Sequence, residues 1–244
     1  MHIVKKIEIM KTQIKSAIMS FIRKMKGTSS HLKINVKCNY QWYGNTYGGF
    51  FLCPELLNKN SIIYSFGIGE DMSFDNAISM NHNCHIFCFD PTPKSIDWVK
   101  KQKLSDKFNF FEYGISGKDG FVDFYLPKNP NHVSGSSETQ KNIDIDNKVS
   151  VEMKTLGNIM NELGHRHIDV LKMDIEGSEY DVIADILNAK ISITQILIEF
   201  HDRFFENGNL KSIQSVELLK HNGYEIFAVS DSFEEISFIN KNAL

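Results

Sequence analysis

Short apolar runs recur along this chain, at residues 61–66, 85–89, 108–111, 168–173 and 193–200. Each is too brief for a helix and reads as a strand buried on both faces, as in a parallel sheet. Between them the apolar positions fall at helical spacing. The pattern predicts helices over 73–80 with Ser73 as N-cap, from Pro93 to about Leu104 behind Thr92, over 155–163, over about 178–189 and over 210–221. Gly164 stops the third of these. A further strand is predicted over 120–126, and residues 224–229 and 235–239 pattern as a closing antiparallel pair. Strand and helix in alternation define an α/β protein with a mostly parallel sheet.

Two stretches depart from that alternation. Residues 127–148 are polar and carry Pro127, Pro130, Ser134 and Gly135, which predicts a loop able to close over a substrate. At the other end, Ile3, Ile7, Met10, Ile14, Ile18, Phe21 and Met25 form one apolar stripe, and lysines fill much of the opposite face. This is a basic amphipathic helix ending near Gly27. The organisation is therefore an appendage over 1–27 and a main domain over 28–244. The stripe suits packing on the domain, homodimerisation, or peripheral contact with an anionic membrane face.

Charge sharpens this division. The net charge of −3 hides seven basic residues and one acidic residue within 1–26, so the remainder carries 20 basic against 29 acidic residues, a net of −9. Such a body repels a phosphate backbone, which argues against nucleic acid as a partner. No run is long enough to span a bilayer. Cys38, Cys53, Cys84 and Cys88 include no Cys-x-x-Cys pair, which points to a reducing compartment, the cytoplasm. His82, Cys84, His85 and Cys88 lie close in sequence, but strand alternation places His85 opposite both cysteines. They are not read as a metal site.

Two stretches carry chemistry. After the first strand come Gly67, Ile68, Gly69, Glu70 and Asp71. The glycines allow a sharp turn and close approach to a ligand, as at the first unit of a Rossmann-like site. Met72 stands where a dinucleotide fingerprint has its third glycine, and the acidic pair disfavours phosphate. A cationic, phosphate-free cofactor fits better, and S-adenosyl-L-methionine carries a sulfonium and an ammonium. Asp90 ends the next strand at the position of a ribose-binding carboxylate, followed by Thr92. Gly114 and Ile115, between Tyr113 and Ser116, are a natural wall for an adenine. Residues 40–51 are rich in aromatics and glycines and read as strand pieces leading to a loop at the cofactor mouth. The second stretch is the end of the fourth strand, with Asp174, Glu176 and Glu179. The fifth strand brings Glu199, His201 and Asp202 to the same edge, where open α/β sheets bind ligands.

Together these stretches resemble the FkbM-type class I S-adenosylmethionine-dependent methyltransferases. The resemblance covers about residues 40–240. It rests, in order, on Tyr64 to Asp71, Phe89 to Ser95, Asn129 to Ser134, Leu171 to Glu179 and Ile198 to His201. The string Lys172-x-Asp174-x-Glu176-Gly177-x-Glu179 is the most specific. The resemblance implies a Rossmann-like fold with a seven-stranded, mostly parallel sheet, an antiparallel last strand and helices on both faces. It also implies O-methylation of a hydroxyl on a sugar, glycan precursor or similar polyol. Many class I methyltransferases have an acidic residue in place of Ser65 and a glycine in place of Asp71.

An alcohol is a weak nucleophile, so methyl transfer to it needs a general base or a metal. His201 is the first candidate base, with Asp174 and Glu199 to polarise it, and His132 on the polar loop is the alternative. Gly67, Gly69, Asp71, Asp90, Thr92, Gly114, Ile115, Asp174 and Glu176 are the expected cofactor contacts. Asp174 and Glu199 could also hold a divalent metal, which no motif specifies, so no metal ligands are assigned. Competing readings are an NAD-dependent oxidoreductase on the same fold and a non-catalytic scaffold.

Overall fold

The computed structural model describes residues 31–127 and 143–244. The predicted N-terminal helix, and His132 with most of the polar loop, lie outside the described residues. A short hairpin, β1 (Gln41–Tyr43) with β2 (Phe50–Leu52), leads into the main sheet. The parallel strands are β3 (Ile62–Phe66), β4 (His85–Phe89) and β5 (Phe108–Phe111). After an excursion through β6 (Gly114–Ile115), β7 (Gly120–Pro127) and β8 (Ile143–Lys154) come β9 (Ile168–Met173) and β10 (Ile193–Glu199). The chain closes with β11 (Tyr224–Val229) and β12 (Glu235–Asn240).

The sheet has seven strands in the order β11-β12-β10-β9-β3-β4-β5, and β12 is antiparallel to both its neighbours. The strand order reverses direction at β3, so the crevice at the C-terminal ends of β3 and β9 is the switch point where such sheets bind ligands. Strand β3 explains why its run is continuously apolar. Ile63 packs on one face with Val170 and Leu197, while Tyr64 and Phe66 pack on the other with Leu171 and Met173.

Helices cover both faces, as expected. On the Ile63 face lie α1 (Ser73–His82), through Phe74 and Ile78, and α2 (Pro93–Val99), through Val99. On the Tyr64 face lie α3 (Leu156–Leu163), α4 (Glu179–Asn188) and α5 (Gly208–His221).

Three expectations need correction. Ser73 is the first helical residue rather than the N-cap, which is Met72. The Asp71 carboxylate accepts the Ser73 amide at 2.8 Å instead. Helix α2 ends at Val99, short of Leu104. The polar segment is not all loop: β8 begins at Ile143 and pairs antiparallel with β7, so Val151 and Met153 pack on Phe124.

Cys84 and Cys88 are buried and His85 is exposed, as strand alternation predicts. Among the described residues no helix is long and apolar enough to cross a membrane.

Candidate active site

The glycine turn follows β3 directly. Gly67 and Gly69 adopt φ of 79° and 56°, a left-handed region open to glycine. Gly67 has a second reason to lack a side chain: a Cβ there would lie 1.7 Å from the Asp174 carbonyl oxygen. The turn is thus pressed against the end of β9. Its amides point at Asp90. One oxygen of that carboxylate accepts from the amides of Ile68 and Gly69, both at 2.9 Å. The other accepts from the Thr92 amide at 2.9 Å and the Thr92 hydroxyl at 2.6 Å.

A carboxylate offers about four acceptor sites, and the chain itself fills them. Asp90 is 4 % exposed. Its evident role is to shape the turn.

Asp71 also serves the local structure, since its second oxygen accepts from Asn45 Nδ2 at 2.7 Å. Glu70 reaches outward to Lys94 at 3.6 Å. Gly114 pairs with Met153 through β6, and a Cβ there would lie 2.6 Å from the Met153 sulfur. The Ile115 side chain is buried in the core with Phe89 and Leu156, so only its backbone could wall a ligand.

The second region lies at the ends of β9 and β10, and the Lys-x-Asp-x-Glu-Gly-x-Glu string builds it. Lys172, 4 % exposed, donates to the Gly67 carbonyl at 2.6 Å and stands 3.8 Å from Asp174. Glu176 and Gly177 have φ of 53° and 106°, which turns the chain back over the strand end. Glu179 is fully buried and brackets the edge. Its two oxygens accept the Gly177 and His201 amides, each at 2.8 Å.

His201 is 1 % exposed and its ring stacks on Phe204, with centroids 5.3 Å apart. Its Nε2 stands 3.6 Å from Asp174, 3.5 Å from Glu176 and 3.5 Å from Glu199. Its Nδ1 lies 3.5 Å from Glu179 and has no hydrogen-bond partner. Burial alone would lower the His201 pKa, but the carboxylates of Glu179, Glu199 and Glu176 override it and push it up to about 10. Burial, followed by the charge of Asp174, raises the Glu199 pKa. One ligand atom each from Asp174, Glu176 and His201 lie within 4.8 Å of one another.

Sequence reasoning placed Asp174, Glu176, Glu199 and His201 at one edge, and there they do converge. It assigned no role to three residues. Lys172 joins the turn to the edge, and a lysine inside a buried strand was the available signal. Glu179 was visible in the motif, but its bracketing role depends on a loop 22 residues away. Tyr47 is exposed, yet desolvation and then the charges of Asp174, Glu199 and Glu176 raise its pKa, so it lies within reach of their field.

A doubly covered sheet of this order, with a glycine turn facing an acidic strand edge, defines the class I methyltransferase type of Rossmann-like fold. The chain belongs to the methyltransferase FkbM domain family, whose model matches residues 15–226. It is 27 % identical over 179 residues to the 2-O-methyltransferase NoeI of Sinorhizobium fredii, covering 67 % of this chain and 73 % of that protein. It is 26 % identical over 195 residues to the human probable methyltransferase-like protein 24, covering 77 % of this chain. The chain spans about half the length of that relative, 47 %. Among solved structures, methyltransferase FkbM from Methylobacillus flagellatus matches with a TM-score of 0.48 and 12 % identity, over 78 % of this chain and 46 % of that one.

Proposed function

We propose that this chain is an S-adenosylmethionine-dependent O-methyltransferase acting on a hydroxyl of a sugar, glycan precursor or similar polyol. The observation that carries the reading is the contact of Gly67 with the Asp174 carbonyl. It makes the glycine turn and the acidic edge two walls of one crevice, so a donor on the turn lies beside an acceptor on the edge. Membership of the methyltransferase family supports the reaction, and the name of the NoeI relative supports an oxygen acceptor. The surroundings suit the donor, because an acidic crevice favours a sulfonium and an ammonium over a phosphate.

When bound, the donor supplies an electrophilic methyl group, and alignment with the acceptor accounts for much of the rate. The chain's own residues then divide the work. Asp90 and Thr92 hold the turn in shape, and Asp174, Glu176 and Glu199 face the acceptor. His201, at 1 % exposure, lies behind Asp174 and Glu199, whose side chains are 26 % and 14 % exposed. The carboxylates therefore meet an acceptor hydroxyl first, and His201 acts as a positioning residue rather than the first base.

The test is incubation with labelled methyl donor and a panel of sugars, glycan precursors and polyols. An alkali-stable methyl ether on one of them is the expected product. Binding of NAD with no affinity for the methyl donor would favour the oxidoreductase reading instead. The absence of binding to either would favour the scaffold.

A further inference from the structure

We propose that Asp174, Glu176 and His201 form a binding site for one divalent metal ion, with Glu199 beside it. The acidic residues alone do not make the case. The independent observation is His201. Its ring is 1 % exposed, clamped by Phe204 and aimed with Nε2 at three carboxylate oxygens 3.5–3.6 Å away. Those separations exceed the usual N–H···O length of about 2.9–3.0 Å, so the nitrogen makes loose ion-pair contacts with all three carboxylates and no close bond to one of them.

The spacing also suits a metal ion in place of the imidazole proton. Ligands about 2.0–2.2 Å from a metal stand roughly 3–3.5 Å apart at adjacent positions. Asp174 and Glu176 lie 3.6 and 3.5 Å from Nε2, and the three ligand atoms all fall within 4.8 Å of one another. A small inward movement closes such a shell.

The surroundings supply what metal sites need. Glu179 fixes the ligand loops from behind by accepting the Gly177 and His201 amides, as outer-shell partners do. Two carboxylates with one imidazole form a mixed oxygen and nitrogen set. That set suits ions such as Mn²⁺, Fe²⁺ or Zn²⁺ better than Ca²⁺, which takes oxygen ligands alone.

The role of the ion rests on the proposed methyl transfer. It would accept the acceptor's oxygen as a ligand and lower the pKa of that hydroxyl. Its presence does not rest on that reading, and the experiment reads it without donor or acceptor.

Chelator-treated full-length chain is titrated with Mn²⁺ and followed by electron paramagnetic resonance. One saturable ion per chain is expected, with echo modulation from a coordinated imidazole nitrogen. Asp174→Asn and Glu176→Gln should each weaken uptake at least about tenfold, and His201→Gln should remove the nitrogen modulation. The surface variant Glu217→Gln should bind as the wild type does. Near-UV circular dichroism establishes that each variant is folded, and the wild-type titration stands without any of them.

Three results would overturn the site: no saturable uptake by the wild type, uptake without nitrogen modulation, or displacement of Mn²⁺ by S-adenosylmethionine alone. The last would mean that the edge holds the cationic end of the donor. Methyl transfer at full rate in excess chelator would refute the ion's role while leaving methyl transfer intact. Saturable Mn²⁺ binding with no transfer to any acceptor would do the reverse.

Discussion

The two walls of the crevice are built on opposite principles. At the turn, the Asp90 carboxylate has its acceptor sites filled by four donors of the chain. At the edge, three carboxylates crowd around one imidazole, and His201 Nε2 reaches each of them only in a loose pair at 3.5–3.6 Å. The first region is complete without a ligand. The second gathers like charges that repel, an arrangement a stability-optimised surface avoids and a binding site tolerates. Lys172 and Gly67 couple the two, through a buried ammonium on the Gly67 carbonyl and a backbone contact too close for any side chain.

The largest effect is expected where the walls meet. Gly67→Ala places a methyl group 1.7 Å from the Asp174 carbonyl at a φ of 79°, so both turn and edge must move. The mechanism belongs with backbone strain and overpacking, at about 3–5 kcal/mol. Thermal unfolding should show the loss, and calorimetry should show donor binding abolished. A variant of unchanged stability would mean that the walls are not in contact.

A paired experiment separates the two principles. Asp90→Ala orphans three amides and a hydroxyl in a buried place, and should cost about 2–4 kcal/mol. Asp174→Asn removes a charge from a crowded edge. It should change stability by less than about 1 kcal/mol while lowering methyl transfer at least about a hundredfold. Urea unfolding of both proteins, with turnover measured alongside, reads the contrast. Equal destabilisation by the two would erase the distinction between a finished wall and a poised one.

How much of this was legible in the sequence follows from range. Strands β3, β4, β9 and β10 were readable because each is a short apolar run with a polar or glycine stop, and Gly164 at a φ of 72° does end α3. The seven-strand order was not readable from periodicity, since pairing of β3 with β9 joins residues more than 100 positions apart. The family resemblance supplied the strand count and the antiparallel last strand, and the structure supplied the order. Strand β8 was missed although Val149, Val151 and Met153 alternate with Ser150, Glu152 and Lys154. The polar residues before them masked the period. The convergence on His201 was half legible: the residues could be placed at one edge, but the bracket made by Glu179 and the solvent-facing order of the side chains are properties of packed loops.

That bracket gives a smaller, sharper test. Glu179→Gln keeps one acceptor oxygen and replaces the other with a donor, so one of the amides of Gly177 and His201 loses its partner. The expected cost is about 1–3 kcal/mol. The more telling readout is turnover, which should fall although Glu179 is fully buried and meets no substrate. Glu179→Asp, which keeps both oxygens, should recover part of the activity. If Glu179 only stabilises the fold, stability and turnover will instead fall and recover together.

The smallest effect lies away from both walls and serves as their reference. Glu225 on β11 accepts from Lys241 at 2.7 Å and from Asn35 at 3.0 Å, and those two bonds, Lys241 first, lower its pKa. A carboxylate depressed in the folded state stabilises the protein above its unfolded pKa of about 4.3. That contribution fades as pH falls through the folded value. Glu225→Gln should therefore lower the unfolding temperature slightly at pH 7, and the gap from the wild type should close by about pH 3. Turnover at pH 7 should be unchanged, because this pair sits at the far edge of the sheet from the crevice. A gap that persists at low pH would mean that packing rather than charge holds Asn35 and Lys241 to β11. An altered turnover would mean that the sheet transmits strain from its edge strand to the acidic wall, which the rigid pairing of β10, β12 and β11 argues against.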